Sequence, residues 1–460
     1  MSQITKQSDV KLDREHRSSR SKSIAGSRTF RWEIDPPTEA AAGAKSKGIH
    51  WGPKLLGRFN GLSHGRIQLL DRGELHELGD DIQGKNQWLS AAILVSDPAF
   101  YRRIAVGGVQ GSAESYIDGQ WSCSDLTQLI RIMIRNIEHV SAMNSAVSWM
   151  RQRVLKIRHA LRANSIRGSK KNIVEHYDLG NDFYRLFLDG TMNYSSGIFD
   201  SDTARRDFPD VSDPLQAASL VKMDRICKKL NLQPGHEVLE IGTGWGAMAI
   251  HMASRYGCQV TTTTISEEQF RYANQQVEAA GLQDQIKVIK DDYRELEGSF
   301  DKVVSVEMVE AVGYKYMNGF FKACCDRLKP DGEMLLQAIT IGEQNWKQYI
   351  RSVDFIRTHV FPGGCLPSVG SLQRAAGQAT DMRMLHLDDM TPHYALTLNH
   401  WKQRFLSKLD HVRDQGYDDR LIRLWNFYLS YCEAAFEERR VNCVQVVFGR
   451  PSSQTDAAVW

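Results

Sequence analysis

The chain lacks any apolar run approaching the ~20 residues needed to cross a bilayer as a helix, so a conventional helical span is excluded. Its N-terminus has no apolar core of the secretory kind, and the expectation is a cytoplasmic protein. Eight cysteines are present, but no CxxC pair and no zinc-ligand spacing occurs among them. Scattered in this way they are expected to be reduced thiols, which argues against a disulfide framework. Charge of one sign is scarce overall, with a net +3 over 460 residues. That balance excludes little, and the informative absence is local. The run "MRQRVLKIRHALRANSIRGSKKN", Met150 to Asn172, has no acidic residue. Val154, Ile157 and Leu161 recur there at helical spacing, so the run predicts a basic amphipathic helix. Such a helix suits a solvated linker or an anionic phospholipid surface, where each nearby Lys or Arg contributes roughly 1 kcal/mol. Nucleic acid would match the charge, but no reading motif accompanies it.

The present features divide the sequence into regions. Residues 1–47 are Ser-rich, polar and basic, and are expected to be a disordered tail. Residues 48–150 have the pattern of a small α+β domain. "GRIQLLDRGELHELG" predicts a hairpin turning at Asp71, Arg72 and Gly73, and "SDPAFYRRIAVGGVQGSAESYIDGQWSCSDLTQLIRIMIRN" predicts a helix, a Gly-rich turn and a second, strongly apolar helix. Residues 151–171 form the basic linker. From Leu230 strands and helices alternate, as in a parallel doubly wound sheet. The strands are "HEVLEIG", "CQVTTTTIS", "IKVIKDD", "FDKVVSVEM", "GEMLLQAITI" and, near the C-terminus, "VNCVQVVFGR". A helical lid is expected at 342–436, within a domain spanning 172–450 and followed by a short tail at 451–460.

The chemistry begins at "LEIGTGWG", Leu239 to Gly246. Gly242, Gly244 and Gly246 lie between a buried strand and a helix, where backbone turns sharply and approaches a ligand closely. The spacing GxGxG is shorter than the dinucleotide fingerprint GxGxxG. The next strand ends in "TTTTIS", without the acidic residue that holds an NAD ribose. Glu240 sits two positions before the first glycine. Together these favour a nucleoside carried without a pyrophosphate, and S-adenosylmethionine is the obvious candidate.

The set "HYDLGNDFYRLFLD", "MNYSSGIF", "LEIGTGWG", "TTISEEQ", "SVEMVEAVG", "FPGGCLPS" and "CVQVVFGR" resembles the cyclopropane-fatty-acyl-phospholipid synthase family. That family includes the mycolic acid cyclopropane synthases and related C-methyltransferases of acyl chains. The resemblance covers about Asn172 to Arg450, and "GSAESYIDGQWSCSDL" resembles the N-terminal domain of the bacterial phospholipid enzymes. It implies a Rossmann-like class I methyltransferase fold, a doubly wound sheet with a helical lid insertion, and a homodimer. It also implies cofactor contacts. Tyr194 and Ser195 would close over the methionine part, and Glu240, Gly242 and Gly244 would line the methionine and ribose end. Thr264 and Gln269 would contact ribose and adenosine, and Tyr293 would sit at the adenine edge. The blander alternatives are a core aromatic for Tyr194 and an exposed helix residue for Gln269.

The implied reaction transfers a methyl(ene) group to the double bond of an unsaturated fatty acyl group in membrane phospholipid, at the inner face of the membrane. Because the nucleophile is a weak π bond, the site needs an apolar tunnel, no water, and a base for a proton of the new methyl group. In the family a bound bicarbonate is the proposed base. Carried onto this sequence, its ligand positions are Glu310, Tyr394, Ile339, Gln337 in place of histidine, and Ser196 in place of cysteine. Gln337 donates a hydrogen bond but takes up no proton, while Ser196 keeps its backbone N–H. The expected product is a cyclopropane fatty acid; the alternative, should the site altered at Ser196 and Gln337 not hold bicarbonate, is a methyl-branched or methylene product. A lipid-binding pseudoenzyme and a small-molecule methyltransferase are the rival classes. Intact "LEIGTGWG", Tyr194 and Glu310 count against the first, and the basic linker and N-terminal domain against the second.

Overall fold

The structure, a computed structural model, describes residues 30–37, 61–79, 89–142 and 179–453, with four isolated positions between 52 and 59. The basic run 151–171 lies outside the described residues, as do most of the two tails.

Four strands form a small N-terminal sheet: β1 (Arg66–Asp71), β2 (Glu74–Leu78), β3 (Ser90–Val95) and β4 (Trp121–Cys123), in the order β2-β1-β3-β4. The β1–β2 hairpin turns at Arg72 and Gly73, whose φ values of 49° and 86° match the twist of the flanking strands. Helix α1 (Ala99–Ile117) precedes β4, and α2 (Leu126–Arg135) follows it. Here the structure differs from the expected helix–turn–helix. The Gly-rich stretch is a kink inside α1, with Gly108 at φ 55°, ψ −138°. A Cβ at Gly111 would lie 2.1 Å from the Arg103 carbonyl oxygen, so a bare backbone is what lets the two halves of α1 pack together.

The larger sheet holds β5 (Glu237–Ile241), β6 (Gln259–Thr263), β7 (Ile286–Ile289), β8 (Phe300–Val306), β9 (Leu328–Ile341), β10 (Arg383–Asp389) and β11 (Val441–Gly449). Their order is β10-β11-β9-β8-β5-β6-β7. The five strands β5 to β9 pair in parallel, and β11 pairs antiparallel with both β9 and β10. Strand order reverses between β5 and β8, and the carboxyl ends at such a switch point are where doubly wound sheets bind ligands. Helices α3 (Pro214–Lys229), α4 (Ala247–Tyr256), α5 (Glu267–Ala279) and α6 (Met317–Asp326) flank the sheet.

The lid insertion is not wholly helical. Besides α7 (Val369–Ala379), α8 (Thr391–Ser407) and α9 (Asp419–Glu437) it contains β10. That strand is the sheet edge, with exposed and half-buried residues alternating along it. Its weak apolar signal is that of a strand paired on one side only.

The lid also fuses the two regions that the sequence separates. One buried cluster runs from Leu69 and Trp121 through Phe183 and Phe187 to Trp401 and Trp425, with partly buried Tyr194 packed against it. Burying each such side chain contributes about 1.5–3 kcal/mol. Residues 30–37, assigned from sequence to the tail, join this cluster. Ile34 is buried, the Glu33 N–H donates to the Cys123 carbonyl at 3.1 Å, and Asn426 donates to the Glu33 carboxylate at 3.1 Å. Phe30, Trp32 and Ile34 interrupt the polar composition there and supply the apolar surface that packing needs.

Candidate active site

A cavity of about 620 Å³ opens at the carboxyl ends of β5, β6 and β8 and extends under the lid. At one end lies the β5–α4 turn. Gly242, Gly244 and Gly246 all have positive φ, at 104°, 53° and 94°. A Cβ at Gly244 would meet no protein atom within 4 Å, which leaves a cradle facing the cavity. Gly246 is different. It caps α4 and packs on Ala273, where a Cβ would come within 3.3 Å. It closes the turn and does not line the cavity, which Gly242 and Gly244 do.

Glu240 ends β5 fully buried, accepting from the Thr262 hydroxyl at 2.6 Å. Burial pushes its carboxyl up to about 8. From the next strand and helix, the Thr264 hydroxyl donates to Gln269 Oε1 at 2.9 Å. Gln269 is buried, not an exposed helix residue, and lines the cavity with Thr264 and Tyr293. The loop "TMNYSSGIFD" crosses the same space. Tyr194 lines the wall while its hydroxyl pairs with that of Tyr428 at 3.0 Å, so it is both core aromatic and cavity wall. Ser195 Oγ donates to Asn193 Oδ1 at 2.9 Å and accepts from Lys222 Nζ at 2.9 Å.

Sequence reasoning misses Lys222, which belongs to none of the motifs. It lies 1 % exposed on α3, donating also to Asn193 at 3.0 Å. Burial lowers its ammonium to about 8, against the pull of Glu307, Asp189 and Glu240. Its signal is nevertheless present: a lysine on the apolar stripe of an amphipathic helix, four residues before Ile226, has no route to solvent.

The other end is organised by a second residue that sequence reasoning misses. Glu307 follows β8 at the switch point with φ 50°, a left-handed conformation that costs a non-glycine residue roughly 1–2 kcal/mol. Its carboxylate accepts from the Ser196 backbone N–H at 3.0 Å, Gln337 Nε2 at 2.8 Å and the Tyr394 hydroxyl at 2.6 Å. Gln337 is itself held by Gln445, which donates to its Oε1 at 3.0 Å. Ser196 and Gln337 therefore stand behind the wall and fix Glu307, whereas Glu307, Glu310, Tyr394 and Ile339 line it. The Ile339 N–H donates to Glu310 Oε1 at 2.5 Å, and Glu310 Oε2 is buried with no hydrogen-bond partner among the described residues.

The donors assigned by resemblance to bicarbonate are thus engaged by two carboxylates of the protein itself. An anion beside the Glu307 carboxylate would meet like charge and find its donors taken. The residues present do not fit bicarbonate. Burial raises both carboxyls. Three hydrogen bonds and the Lys222 charge oppose the rise at Glu307, while burial and the neighbouring Glu307 push Glu310 up to about 8. Glu310, without the three hydrogen bonds that Glu307 accepts, is therefore the more readily protonated of the two.

Comparison with known proteins agrees with the geometry. Residues 164–446 match the mycolic acid cyclopropane synthetase family. Tuberculostearic acid methyltransferase UfaA1 of Mycobacterium tuberculosis is 36% identical over 347 residues, covering 75% of this protein and 80% of that one. Cyclopropane-fatty-acyl-phospholipid synthase of Escherichia coli is 35% identical over 362 residues, covering 78% and 88%. Among solved structures, the mycolic acid cyclopropane synthase CmaA1 complexed with SAH and CTAB is 28% identical with a TM-score of 0.55, covering 61% of this protein and 98% of that one. The protein belongs to the mycolic acid cyclopropane synthetase family and is an S-adenosylmethionine-dependent C-methyltransferase of lipid acyl groups.

Proposed function

We propose that this enzyme methylates the double bond of an unsaturated fatty acyl group in phospholipid and releases a methylene-branched product, with Glu307 as the base. The observation that carries this is the Glu307 carboxylate, tied to Ser196, Gln337 and Tyr394 where an exchangeable anion would otherwise sit.

The residues present suit the cofactor. The Gly244 cradle admits its backbone-facing part, Glu240 and Ser195 suit its methionine and ribose groups, and Thr264, Gln269 and Tyr293 suit its adenosine. S-Adenosylmethionine, when bound, supplies an electrophilic methyl group on a sulfonium. The apolar walls, including Val306, Ile339 and Phe436, hold the alkene dry beside it.

Methylation of the double bond leaves a secondary cation on the adjacent acyl carbon. Glu307 stabilises that charge across a low-dielectric site. Two outcomes then compete. Immediate loss of a methyl proton closes a cyclopropane. A 1,2-hydride shift first makes a tertiary cation, and loss of a proton from the new methyl group then gives a methylene (C=CH2) branch on the open chain. Both release one proton to the base and need no reductant. A carboxylate already accepting three hydrogen bonds is a weaker base than a free anion in the same place, so the cation persists and the shift is favoured. Reducing the methylene to a methyl branch would require a separate hydride-donating enzyme.

The cyclopropane product is the second reading, supported by the 35% identity to the Escherichia coli phospholipid synthase. Purified enzyme, unsaturated phospholipid vesicles and labelled S-adenosylmethionine decide between them. The expected product shows vinylidene protons by NMR. Upfield ring protons would favour cyclopropanation, and absence of label from the lipid would overturn both.

A further inference from the structure

A second polar cluster lines the same cavity, and neither the cofactor end nor the Glu307–Glu310 pair uses it. It is carried by the lid: Tyr349, Asp354 and Arg357 from the segment after β9, Tyr431 from α9, and Arg440 from the turn beyond. Arg357 is 3 % exposed. Its guanidinium stacks 4.1 Å from the centre of the Tyr349 ring and donates one bond, to the Tyr349 carbonyl at 3.0 Å. Its buried Nε has no hydrogen-bond partner among the described residues. Asp354 lies 3.5 Å away, but the same oxygen accepts the Arg357 backbone N–H at 2.9 Å as the cap of the short helix Phe355–His359. Arg440 is exposed and has no ion-pair partner among the described residues. Asp354, Arg357, Arg440 and Tyr431 all line the cavity, whose wall here carries two cations and one anion.

A buried guanidinium with unused donors is costly unless something completes it. Its planar fork matches an oxyanion such as a phosphodiester, and pairing with a second Arg favours an anion over a neutral group. The surroundings say what is attached to that oxyanion. Half-exposed Val109, at the α1 kink, lines the cavity together with Ile134 of α2 and Ile137 just beyond it. The next residue after Val109, Gln110, donates to the Val353 carbonyl at 3.1 Å and Thr358 Oγ at 3.2 Å, fastening the segment that carries Arg357. The N-terminal region therefore supplies an apolar lip directly against the cationic cluster. Apolar lip, cations, then an apolar interior leading to Glu307 is the sequence of environments that a fatty acyl group with a phosphate headgroup requires.

We propose that Arg357 and Arg440 form a phosphate subsite that holds the headgroup of the lipid substrate at the cavity mouth while its acyl tail reaches the carboxylate pair. The site rests on the acyl-methylation reading above, and the test separates the two. Methyl transfer is measured on phosphatidylglycerol and on diacylglycerol bearing the same unsaturated acyl groups, in neutral detergent micelles. The wild-type enzyme is expected to prefer the phospholipid by about tenfold in kcat/KM, equivalent to ~1.4 kcal/mol. Arg440→Gln and Arg357→Gln should each erase most of that preference through KM, with turnover of diacylglycerol unchanged, and Arg357→Lys should restore part of it. Arg440 is exposed, so its variant carries no folding risk. Inorganic phosphate should raise the KM for phospholipid alone. If it instead altered turnover of both lipids, the site would belong to free phosphate and the headgroup assignment would fall. Equal turnover of both lipids by the wild type, or equal loss on both in the variants, would overturn the subsite while leaving acyl methylation standing. No label in either lipid would overturn acyl methylation itself.

Discussion

At the cofactor end the cavity wall is backbone and neutral donors, Gly242, Gly244, Thr264, Gln269 and Ser195, around the buried carboxyl of Glu240. At the acyl end it is ionisable: Glu307, Glu310 and Tyr394, with Lys222 reaching across from Ser195. The contrast follows from what each end must do. The cofactor arrives with its own charge and needs shape and hydrogen bonds. The acyl group arrives neutral and becomes a cation, so the protein must bring the charge. Charge placed in advance in a dry site is effective because it needs no reorganisation when the cation forms, and it destabilises the empty fold through buried carboxyls.

Changes at the acyl end should break catalysis while sparing cofactor binding. Glu307→Gln keeps the shape but removes the base, and turnover is expected to fall about 10²–10⁴-fold. S-Adenosylmethionine binding by calorimetry should be nearly unchanged. Glu307→Gly is the sharper variant. It relieves the φ of 50° and frees the Ser196, Gln337 and Tyr394 donors, so activity should become dependent on added bicarbonate and shift toward ring product.

Lys222 joins the two ends, and Lys222→Met should disturb both. Removing one partner from a buried charge cluster costs about 3–5 kcal/mol, read as a lowered Tm, and the loosened Ser195 should weaken cofactor binding. At the cofactor end Gly244→Ala should do the reverse of the Glu307 variants. No protein atom obstructs the new methyl, but it enters the cradle at φ 53°. Cofactor Kd should rise about tenfold, ~1.4 kcal/mol, with turnover at saturation little changed.

Stability should also depend on pH. Glu310 has its folded pKa raised from 4.5 to about 8. Between those values the folded state binds more protons than the unfolded one, so stability present below pH 4.5 is lost as pH rises through about 8. Glu310→Gln should flatten that decline in denaturant midpoints measured across the window.

Legibility divides along the same line. The glycine turn and the strand alternation follow from local pattern, because backbone geometry and periodicity are written in consecutive residues, whereas Thr264 and Gln269 are pointed to by the family resemblance. Glu307 escapes notice in the sequence because it stands three residues before the recognised Glu310 in "SVEMVEAVG". Its partners Ser196, Gln337 and Tyr394 meet it only when four separate segments converge. The family resemblance points to those partners as donors but assigns them to an external anion. Likewise Arg357 looks like one more surface arginine until the lid buries it. The edge strand β10 is hidden inside the lid, since pairing on one side leaves a weak alternation. Within "TMNYSSGIFD", Ser196 acts on Glu307 through its backbone N–H, which a cysteine would also supply. Ser196→Cys alone should therefore do less than any change at Glu307.

The most direct test of the central claim is product analysis in bicarbonate-free buffer, with vesicles of unsaturated phospholipid and methyl-labelled S-adenosylmethionine. Undiminished turnover to a methylene-branched lipid is the expected result, because Glu307 takes the place of the anion. Turnover that appears only when bicarbonate is restored, with cyclopropane as the product, would contradict it.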